Sequence, residues 1–340
     1  MKLTLDQIRS ITTGAVSVTQ EPDGIHFYRF TSEQMTLCQP HIGQYAEKLT
    51  SCAGIRLSFR TNSTGLYLRA GLSLGSSRTF FSFDLTVNGV YTDALDNFSG
   101  LELPDEYGTM AYPLPATCEK HFDLGEGEKD VCLFLPWSMT VALQELSLDD
   151  GSSVIPLIPS KKLLAFGDSI TQGYDILRPS DHFVARLARA LDAEEYNKAI
   201  GGAIAFPEMS QMKEPFTPDY ILVAYGTNDW ALSEESFFIQ QYRALHQVIQ
   251  ENYPTAQVFA LTPLWRPSAN ELGKMGAFSN AEKNILSICK DFPNVTTISC
   301  FDFLPKEPTI FADLIVHPTD IGFDHYFNHL WPEIRAALKG

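Results

Sequence analysis

The chain has 340 residues, of which 44% are hydrophobic, and a formal net charge of −16. This length is more than one average domain needs, so we expect two domains. The acidic charge disfavours nucleic acids and anionic membranes as partners, because binding to either depends on Lys and Arg side chains.

We expect no targeting segment at the N-terminus. Residues 1–7 lack an apolar stretch of signal-peptide length, and no part of the chain approaches the roughly 18 uncharged residues that span a bilayer. The sequence therefore predicts a soluble, cytoplasmic protein. The cysteines form no Cys-x-x-Cys pair, so we expect reduced thiols and neither a zinc site nor a dense disulfide framework. We also expect no other metal and no cofactor.

Residues from about 10 to 150 contain short runs in which apolar and polar side chains alternate, such as 54–60 and 79–87. Alternation with a period of two, interrupted by Gly, Asn and Ser, is typical of half-buried antiparallel strands. Asn88-Gly89, between Val87 and Val90, is the strongest short signal for a β-hairpin. We predict an all-β, jelly-roll-like sandwich.

The segment 149–153 is rich in Asp, Gly and Ser, and Pro156 and Pro159 follow it. Turn residues followed by prolines are typical of a connection between domains. We therefore predict a β-sandwich domain over residues 1–155 and a second domain over residues 156–340.

The periodicity changes after this connection. Apolar runs at 162–166, 219–225, 257–261 and 295–299 alternate with helical patterns such as 183–191. Alternating strands and helices predict an α/β domain whose parallel sheet is covered on both faces. Such sheets bind ligands at the carboxyl ends of their strands.

A serine directly follows the first of these runs, in Gly167-Asp168-Ser169-Ile170-Thr171. A serine hydroxyl becomes an effective nucleophile only when a base takes its proton and hydrogen-bond donors receive the charge that develops on the substrate. Ser169 is therefore a candidate nucleophile whose partners must come from other segments of the chain.

Later segments offer groups of the required types. His317 can accept the serine proton and return it to a leaving alcohol, and Asp313 can orient its imidazole. Gly202 offers an unhindered backbone N–H and Asn228 a side-chain amide, and each follows a strand-like apolar run.

The blocks around Ser169, Gly202, Asn228 and His317 resemble those of the SGNH or GDSL hydrolases, which carry serine, glycine, asparagine and histidine in this order. The resemblance covers about residues 161–340. It implies a flavodoxin-like, three-layer α/β/α hydrolase domain in which Ser169 is the nucleophile and His317 the base. It also implies an oxyanion hole made by the N–H groups of Ser169 and Gly202 and the Asn228 amide.

The chain departs from this family at one position. The family's aspartate usually lies three residues before the histidine, where this chain has Leu314. Either one extra residue bulges and lets Asp313 reach the imidazole, or a backbone carbonyl orients the ring and the site is a Ser-His dyad. Asp302 and Asp320 are the reserve candidates for the carboxylate.

Asp168, Trp230 and Trp265 are expected around the substrate site. Asp168 belongs to the serine block and is expected to order its loop. Trp230 and Trp265 follow strand ends and should face the cleft rim, where an aromatic ring can stack on a sugar; packing in the core is the alternative.

A second serine motif, Gly71-Leu72-Ser73-Leu74-Gly75, has the spacing of the nucleophile elbow of α/β-hydrolases. That elbow needs a helix after the serine, whereas the residues that follow here have the pattern of a turn and a strand. We therefore interpret this motif as part of the β-sandwich.

The resemblance extends to bacterial carbohydrate esterases with a β-sandwich before the hydrolase domain. It implies a serine esterase that removes short acyl groups, namely acetyl, from a small-molecule or oligosaccharide ester through an acyl-serine intermediate. The alternatives are a lipid or thioester acyl hydrolase and a non-catalytic carbohydrate-binding protein with a degenerate hydrolase domain. The β-sandwich can bind glycan, close over the cleft or mediate a homo-oligomer, and its sequence does not distinguish these roles.

Overall fold

The computed structural model describes residues 1–38 and 42–339. In the N-terminal part, antiparallel strands predominate, and short helices lie at its beginning. The helices are α1 (Leu5–Ile11), α2 (Ser32–Leu37) and α3 (Ile42–Leu49). The strands are β1 (Thr12–Thr13), β2 (Ser17–Glu21), β3 (Gly24–Tyr28), β4 (Arg56–Thr61), β5 (Gly65–Leu74), β6 (Ser82–Val87), β7 (Val90–Asp96), β8 (Thr117–Asp123), β9 (Lys129–Phe134), β10 (Met139–Leu148) and β11 (Ile155–Pro156).

These strands form two antiparallel sheets. One has the order β1-β4-β9-β6-β7 with β11 also paired to β4, and the other has the order β2-β3-β10-β5-β8. Along β5, Leu66, Leu68 and Ala70 are buried whereas Tyr67 and Arg69 are not, as the alternating sequence predicts. Buried side chains of both sheets form one hydrophobic cluster. The predicted antiparallel β-rich region is therefore confirmed, and its jelly-roll-like connectivity stays a prediction.

The hairpin between β6 and β7 turns at Asn88-Gly89. Val87 pairs with Val90, and the two turn residues have φ values of 50° and 79°. Asn and Gly tolerate this left-handed region better than other residues, which is why this dipeptide is such a strong hairpin signal.

The C-terminal part alternates strands and helices. Its main strands are β12 (Lys161–Gly167), β13 (Ala193–Asn197), β14 (Tyr220–Ala224), β15 (Gln257–Leu261) and β18 (Val295–Ile298), and a small hairpin comprises β16 (Leu272–Gly273) and β17 (Gly276–Ala277). Its helices are α4 (Ser169–Gln172), α5 (Phe183–Ala190), α6 (Pro207–Gln211), α7 (Thr227–Leu232), α8 (Glu235–Asn252), α9 (Ser279–Cys289) and α10 (Asp320–Ala337). Within the described ranges, none of the helices combines the length and the apolar character that crossing a lipid bilayer requires.

The main strands form one parallel sheet in the order β13-β12-β14-β15-β18. Successive residues of β12 pack into different clusters: Leu163 lies with α5 and α10 side chains, and Leu164 with α8 and α9 side chains. Helices therefore cover both faces of the sheet, and the predicted three-layer α/β domain is confirmed.

The two parts of the chain share a hydrophobic cluster. Phe80, Phe98 and Trp137 from the β part are buried together with α5 and α10 side chains, and the Trp137 indole donates to the Ile176 carbonyl at 2.8 Å. The predicted boundary at 155/156 lies inside β11, which still pairs with β4. The division into two domains stays a prediction.

The strand before Gly202 differs from the expectation. We expected an apolar run, but β13 reads Ala-Glu-Glu-Tyr-Asn and is buried along its whole length. The N-terminal part covers this edge of the sheet: Glu194 Oε1 accepts the Gly14 N–H at 3.1 Å. Burial raises the pKa of Glu195. A contact from a distant segment thus accommodates Glu194 in a buried strand, and Asn197 of the same strand donates to Glu195 at 3.3 Å.

Candidate active site

Ser169 is the first residue of α4, directly after β12. The preceding Asp168 caps this helix, because its Oδ1 accepts the Ile170 N–H at 3.0 Å. The turn is tight: a Cβ added at Gly167 would lie 2.4 Å from Thr171 Oγ1. The Ser169 amide is among the first N–H groups of the helix, which lack an acceptor within it, so it can bind a developing negative charge.

The His317 imidazole lies against the serine. Its Nε2 is 2.8 Å from Ser169 Oγ, and its Nδ1 is 2.6 Å from Asp313 Oδ2. Because the partner of Nδ1 is a carboxylate oxygen, the neutral ring carries its proton on Nδ1 and accepts the serine hydroxyl through Nε2. The sequence-predicted serine, histidine and aspartate are therefore brought together.

The loop before His317 accommodates the extra residue in the sequence. Leu314 has a φ of +57°, and the Asp313 side chain turns back so that Oδ1 accepts the N–H groups of Ile315, Val316 and His317. Asp313 thus reaches the ring from four residues upstream, as the bulge alternative predicts. Its four hydrogen bonds, including the one with Nδ1, fix both the carboxylate and the loop.

The reserve candidates lie elsewhere. Asp302 is exposed and forms an ion pair with Lys306 at 2.8 Å. Asp320 begins α10 and accepts the N–H groups of Leu177 and Arg178. Neither carboxylate contacts the imidazole.

A second carboxylate, which the sequence analysis did not identify, also contacts His317. Asp175 Oδ2 lies 3.2 Å from Nδ1, and the Asp175 side chain is fully buried. Arg78, from the connection between β5 and β6, donates to Asp175 through Nε at 2.6 Å and through Nη2 at 2.9 Å. Asp175 lies close to the serine block, but Arg78 is 97 positions earlier, so no local pattern links them.

These charges control the protonation of the ring. Burial alone would lower the pKa of His317, but the charges and hydrogen bonds of Asp175 and Asp313 outweigh it and raise that pKa to about 9. Burial opposes ionisation of Asp313, but its bonds to His317 and to backbone amides hold its pKa well below the ordinary range. The cluster therefore stabilises the imidazolium ion that forms when the serine gives up its proton.

The donors predicted for an oxyanion hole follow the neighbouring strands. The Ile200 N–H donates to the Gly167 carbonyl at 3.1 Å, which holds the loop after β13 against the serine turn. Gly202 has a φ of +83°. Asn228, the second residue of α7, donates through Nδ2 to the Ala203 carbonyl at 3.0 Å. The Gly202 loop and the Asn228 amide therefore lie side by side at the carboxyl edge of the sheet.

Residues of the N-terminal part hold the Gly202 loop. Arg29 is buried and donates to the carbonyls of Asn197 at 2.6 Å and Ala199 at 3.1 Å. Lys48 Nζ donates to the Gly201 carbonyl at 2.8 Å. The loop that would bind the oxyanion is therefore anchored from outside the α/β domain.

Two of the residues predicted to contact substrate lie in the interior. Trp230 is only 4% exposed, packs in the core beside α8 and α9, and donates its indole N–H to the Gly276 carbonyl at 2.8 Å. Asp168 is 3% exposed, and burial raises its pKa to about 7. The prediction that Trp230 faces the cleft rim is wrong, because the chain after α7 folds over its ring.

Trp265 remains a candidate for substrate contact. It is half-buried, and its ring centroid lies 5.9 Å from that of Phe311, at the start of the loop that carries Asp313. The second serine motif is not an elbow, because Ser73 lies within β5 and pairs with Thr140 of β10.

Among the residues that the structure describes, two groups of side chains have the composition of a metal site, one of them at the active site. Asp175, Asp313 and His317 each offer a ligand atom within 4.8 Å of the others. Arg78 already occupies both oxygens of Asp175, however, and a guanidinium in that position repels a metal cation. The donor set therefore fits a hydrogen-bonded ion cluster better than a metal ion. The other group, Glu21, Asp23 and His26, lies in the β2–β3 hairpin.

Comparisons with known proteins concern the family and the fold. Residues 165–324 match the model of the GDSL-like lipase/acylhydrolase family. The chain matches no curated protein.

Several solved structures resemble the whole chain. A salicylyl-acyltransferase from a tetracycline biosynthetic pathway has a TM-score of 0.77 at 20% identity, covering 96% of this chain and 94% of that one. A protein described as a GDSL-like lipase, from Bacteroides ovatus, has a TM-score of 0.77 at 18% identity, covering 100% and 98%. An acetyl xylan esterase from Butyrivibrio proteoclasticus has a TM-score of 0.64 at 13% identity, covering 100% and 99%. These similarities establish the fold, and the part of the chain that carries Ser169 and His317 matches the model of the GDSL-like lipase/acylhydrolase family.

Proposed function

We propose that the protein is a serine esterase that hydrolyses short acyl esters of a carbohydrate, with acetyl as the acyl group. The observation that carries the proposal is the 2.8 Å contact between Ser169 Oγ and His317 Nε2, with Asp313 on the other ring nitrogen. A serine activated in this way at the carboxyl edge of an α/β sheet supports nucleophilic acyl transfer.

In the proposed reaction, Ser169 Oγ attacks the ester carbonyl carbon while His317 takes the hydroxyl proton. The Ser169 and Gly202 N–H groups and the Asn228 amide stabilise the oxyanion of the tetrahedral intermediate. The C–O bond to the alcohol then breaks, and the imidazolium protonates the leaving oxygen. Water, deprotonated by the same imidazole, hydrolyses the acyl-serine.

The choice of a carbohydrate ester as substrate is based on structural similarity. An acetyl xylan esterase shares the two-part arrangement over the full length of this chain, which favours an acetylated carbohydrate. A lipid or thioester acyl hydrolase is the alternative within the same chemistry. A degenerate domain that only binds glycan is the alternative of another class, and the intact Ser169–His317 contact argues against it.

A panel of p-nitrophenyl esters with acyl chains of increasing length tests the proposal. We expect acetate to be the best substrate of the panel and acetylated xylan to release acetate. Preference for long chains would favour the lipid alternative. Adding an alcohol acceptor and analysing the products distinguishes hydrolysis from transfer, the reaction for which one of the similar structures is named.

Ser169→Ala tests the nucleophile. It should reduce kcat by a factor on the order of 10⁶, because loss of the nucleophile disables the whole catalytic group. A fluorophosphonate probe should label the unmodified protein and not this variant. Absence of labelling in the unmodified protein, together with tight glycan binding, would support the non-catalytic alternative.

A further inference from the structure

His317 is contacted by two aspartates from different segments. Asp313 comes from its own loop, and Asp175 from the segment after α4, with its Oδ2 3.2 Å from Nδ1. A single N–H on Nδ1 can be shared between these two acceptors. The ring is therefore held by two separate parts of the chain, whereas a simple triad holds it by one.

The N-terminal β part encloses Asp175. Arg78 binds both of its carboxylate oxygens, and Arg78 Nη2 lies 3.5 Å from His317 Nδ1. Tyr107 donates its hydroxyl to the Asp175 carbonyl at 3.0 Å. A planar guanidinium that binds a carboxylate through two parallel bonds fixes its orientation as well as its charge.

Gly108 completes this enclosure. A Cβ added to it would lie 2.6 Å from Asp175 Oδ2, so only glycine permits this approach. The Gly108 N–H donates to the Ala312 carbonyl at 2.8 Å, directly before Asp313. The same short segment of the β part therefore contacts both aspartate-bearing loops.

We propose that Asp175 is a positioning residue for His317 and that Arg78 holds it in place, so that the N-terminal β part belongs to the catalytic apparatus. The inference deepens the proposed function and depends on it for the role of His317 as the base. Arg78 also limits the negative charge at the ring, because two unpaired carboxylates would bind a proton or a cation there.

The ring has charged or titratable neighbours on every element packed around it. These are Asp313 on its own loop, Asp175 and Tyr174 after α4, Asp168 before α4, and Arg78 from the β part. The effect of Asp175 must therefore be measured against those of the other groups, which remain unchanged in a single variant.

The main test is Asp175→Asn, with two readouts. Titration of ¹⁵N-labelled histidine by NMR, with His317 assigned by comparison with His317→Gln, should give a His317 pKa lower by about one unit or more. The apparent pKa on the acid side of the pH profile of kcat/KM for p-nitrophenyl acetate should also become lower. The NMR readout needs no turnover, so it tests the inference even if the esterase proposal fails.

Asp96→Asn is the matched control. Asp96 is a buried aspartate that also binds an arginine across the two parts, Arg178 at 2.7 Å, but it does not contact the imidazole. We expect it to lower stability without moving the His317 titration. An unchanged His317 titration in Asp175→Asn, or an equal shift in Asp96→Asn, would overturn the inference.

Arg78→Met tests the action of Arg78 through Asp175. Arg78→Met should reduce kcat/KM in the unmodified protein. The same substitution should have an effect smaller by about threefold or more in Asp175→Asn, because that variant lacks the carboxylate that Arg78 holds. Independent effects of the two substitutions on kcat/KM would contradict this part of the inference.

Gly108→Ala provides a second test if Asp175→Asn does not fold. It displaces the Asp175 carboxylate without removing it and should lower the His317 pKa by a smaller amount. An unchanged His317 pKa would again overturn the inference.

Discussion

Asn228 combines two hydrogen-bonding demands in one side chain. It is half-buried at the start of α7, and its Nδ2 donates to the Ala203 carbonyl at 3.0 Å. One amide hydrogen therefore orients the group along the Gly202 loop, and the other can point to a substrate oxyanion. A fixed donor needs little reorganisation during the reaction, which is the basis of its catalytic effect.

We therefore expect Asn228→Ala to reduce kcat by about 100- to 1,000-fold, the typical effect of losing one oxyanion donor. The free energy of unfolding should change by only about 1 kcal/mol, since one partly accessible hydrogen bond is lost. Ester hydrolysis and urea unfolding measure the two effects. If the free energy of unfolding decreased by as much as the activation free energy increased, the result would indicate a structural role for Asn228 instead.

His317 should make the stability of the protein depend on pH. Its folded pKa is raised to about 9, above the ordinary value of 6.5, so the folded state binds an additional proton between these values. Its contribution is complete below pH 6.5 and is lost as the pH rises through 9. We expect the unfolding free energy of the unmodified protein to fall over this range relative to that of His317→Gln. Urea unfolding of both proteins at several pH values measures this difference, and a constant difference would contradict the raised pKa.

At the level of elements, the Gly202 loop depends on a buried arginine. Arg29 donates to the carbonyls of Ser51, Lys48, Asn197 and Ala199, and so joins the segment after α3 to the loop after β13. Burial lowers the pKa of Arg29 to about 10, and its hydrogen bonds to the carbonyls of Ser51, Asn197 and Ala199 are buried as well. Without the guanidinium, each of these carbonyls would lose a charged donor.

Arg29→Met should therefore destabilise the protein by about 3 kcal/mol or more, because buried carbonyls that lose a charged donor retain their desolvation cost. Arg335→Met is the control: Arg335 is exposed on α10, and its replacement should change stability by less than about 0.5 kcal/mol. Chemical denaturation of both variants measures the difference. Equal effects would mean that Arg29 does not support the loop.

Strands could be predicted from the sequence where their side chains are apolar and buried on both faces of the sheet. The strands β12, β14 and β15 are buried in a parallel sheet and are therefore apolar in sequence. The strand β13 was not predictable in this way, because its polar side chains are bonded from elsewhere: Glu194 by Gly14 of the N-terminal part and Glu195 by Asn197. Trp230 was misplaced for a related reason: the hairpin of β16 and β17, which covers it, has no strong sequence pattern.

The site was predictable to a similar extent. The serine after a predicted strand, together with the resemblance of its block and of the His317 block to the GDSL hydrolases, was sufficient to identify Ser169, His317 and Asp313. Asp175 and Arg78 could not be found in this way, because a single sequence contains no pattern that connects residues 97 positions apart.

At the scale of the whole molecule, the β part and the α/β part stabilise each other. Phe80, Phe98, Tyr112 and Trp137 contribute to a cluster that otherwise consists largely of α/β residues. A hydrolase domain separated from the β part would expose this surface and the buried Asp175 carboxylate. The two parts should therefore unfold together.

Trp137→Ala tests this coupling. Loss of a buried aromatic side chain should reduce the free energy of unfolding by about 3–5 kcal/mol. Calorimetry should show one transition at a lower temperature. Destabilisation of only one of two separate transitions would show that the parts unfold independently.

The left-handed conformation of Leu314 has a practical consequence for recognising proteins of this type. A motif search that requires aspartate three residues before histidine would reject this chain, although its carboxylate reaches the ring. Where one further residue separates the pair, the backbone can absorb it by a local change of handedness, provided that the aspartate also binds the amides that follow. Profiles that permit either spacing would retrieve hydrolases that a fixed pattern excludes.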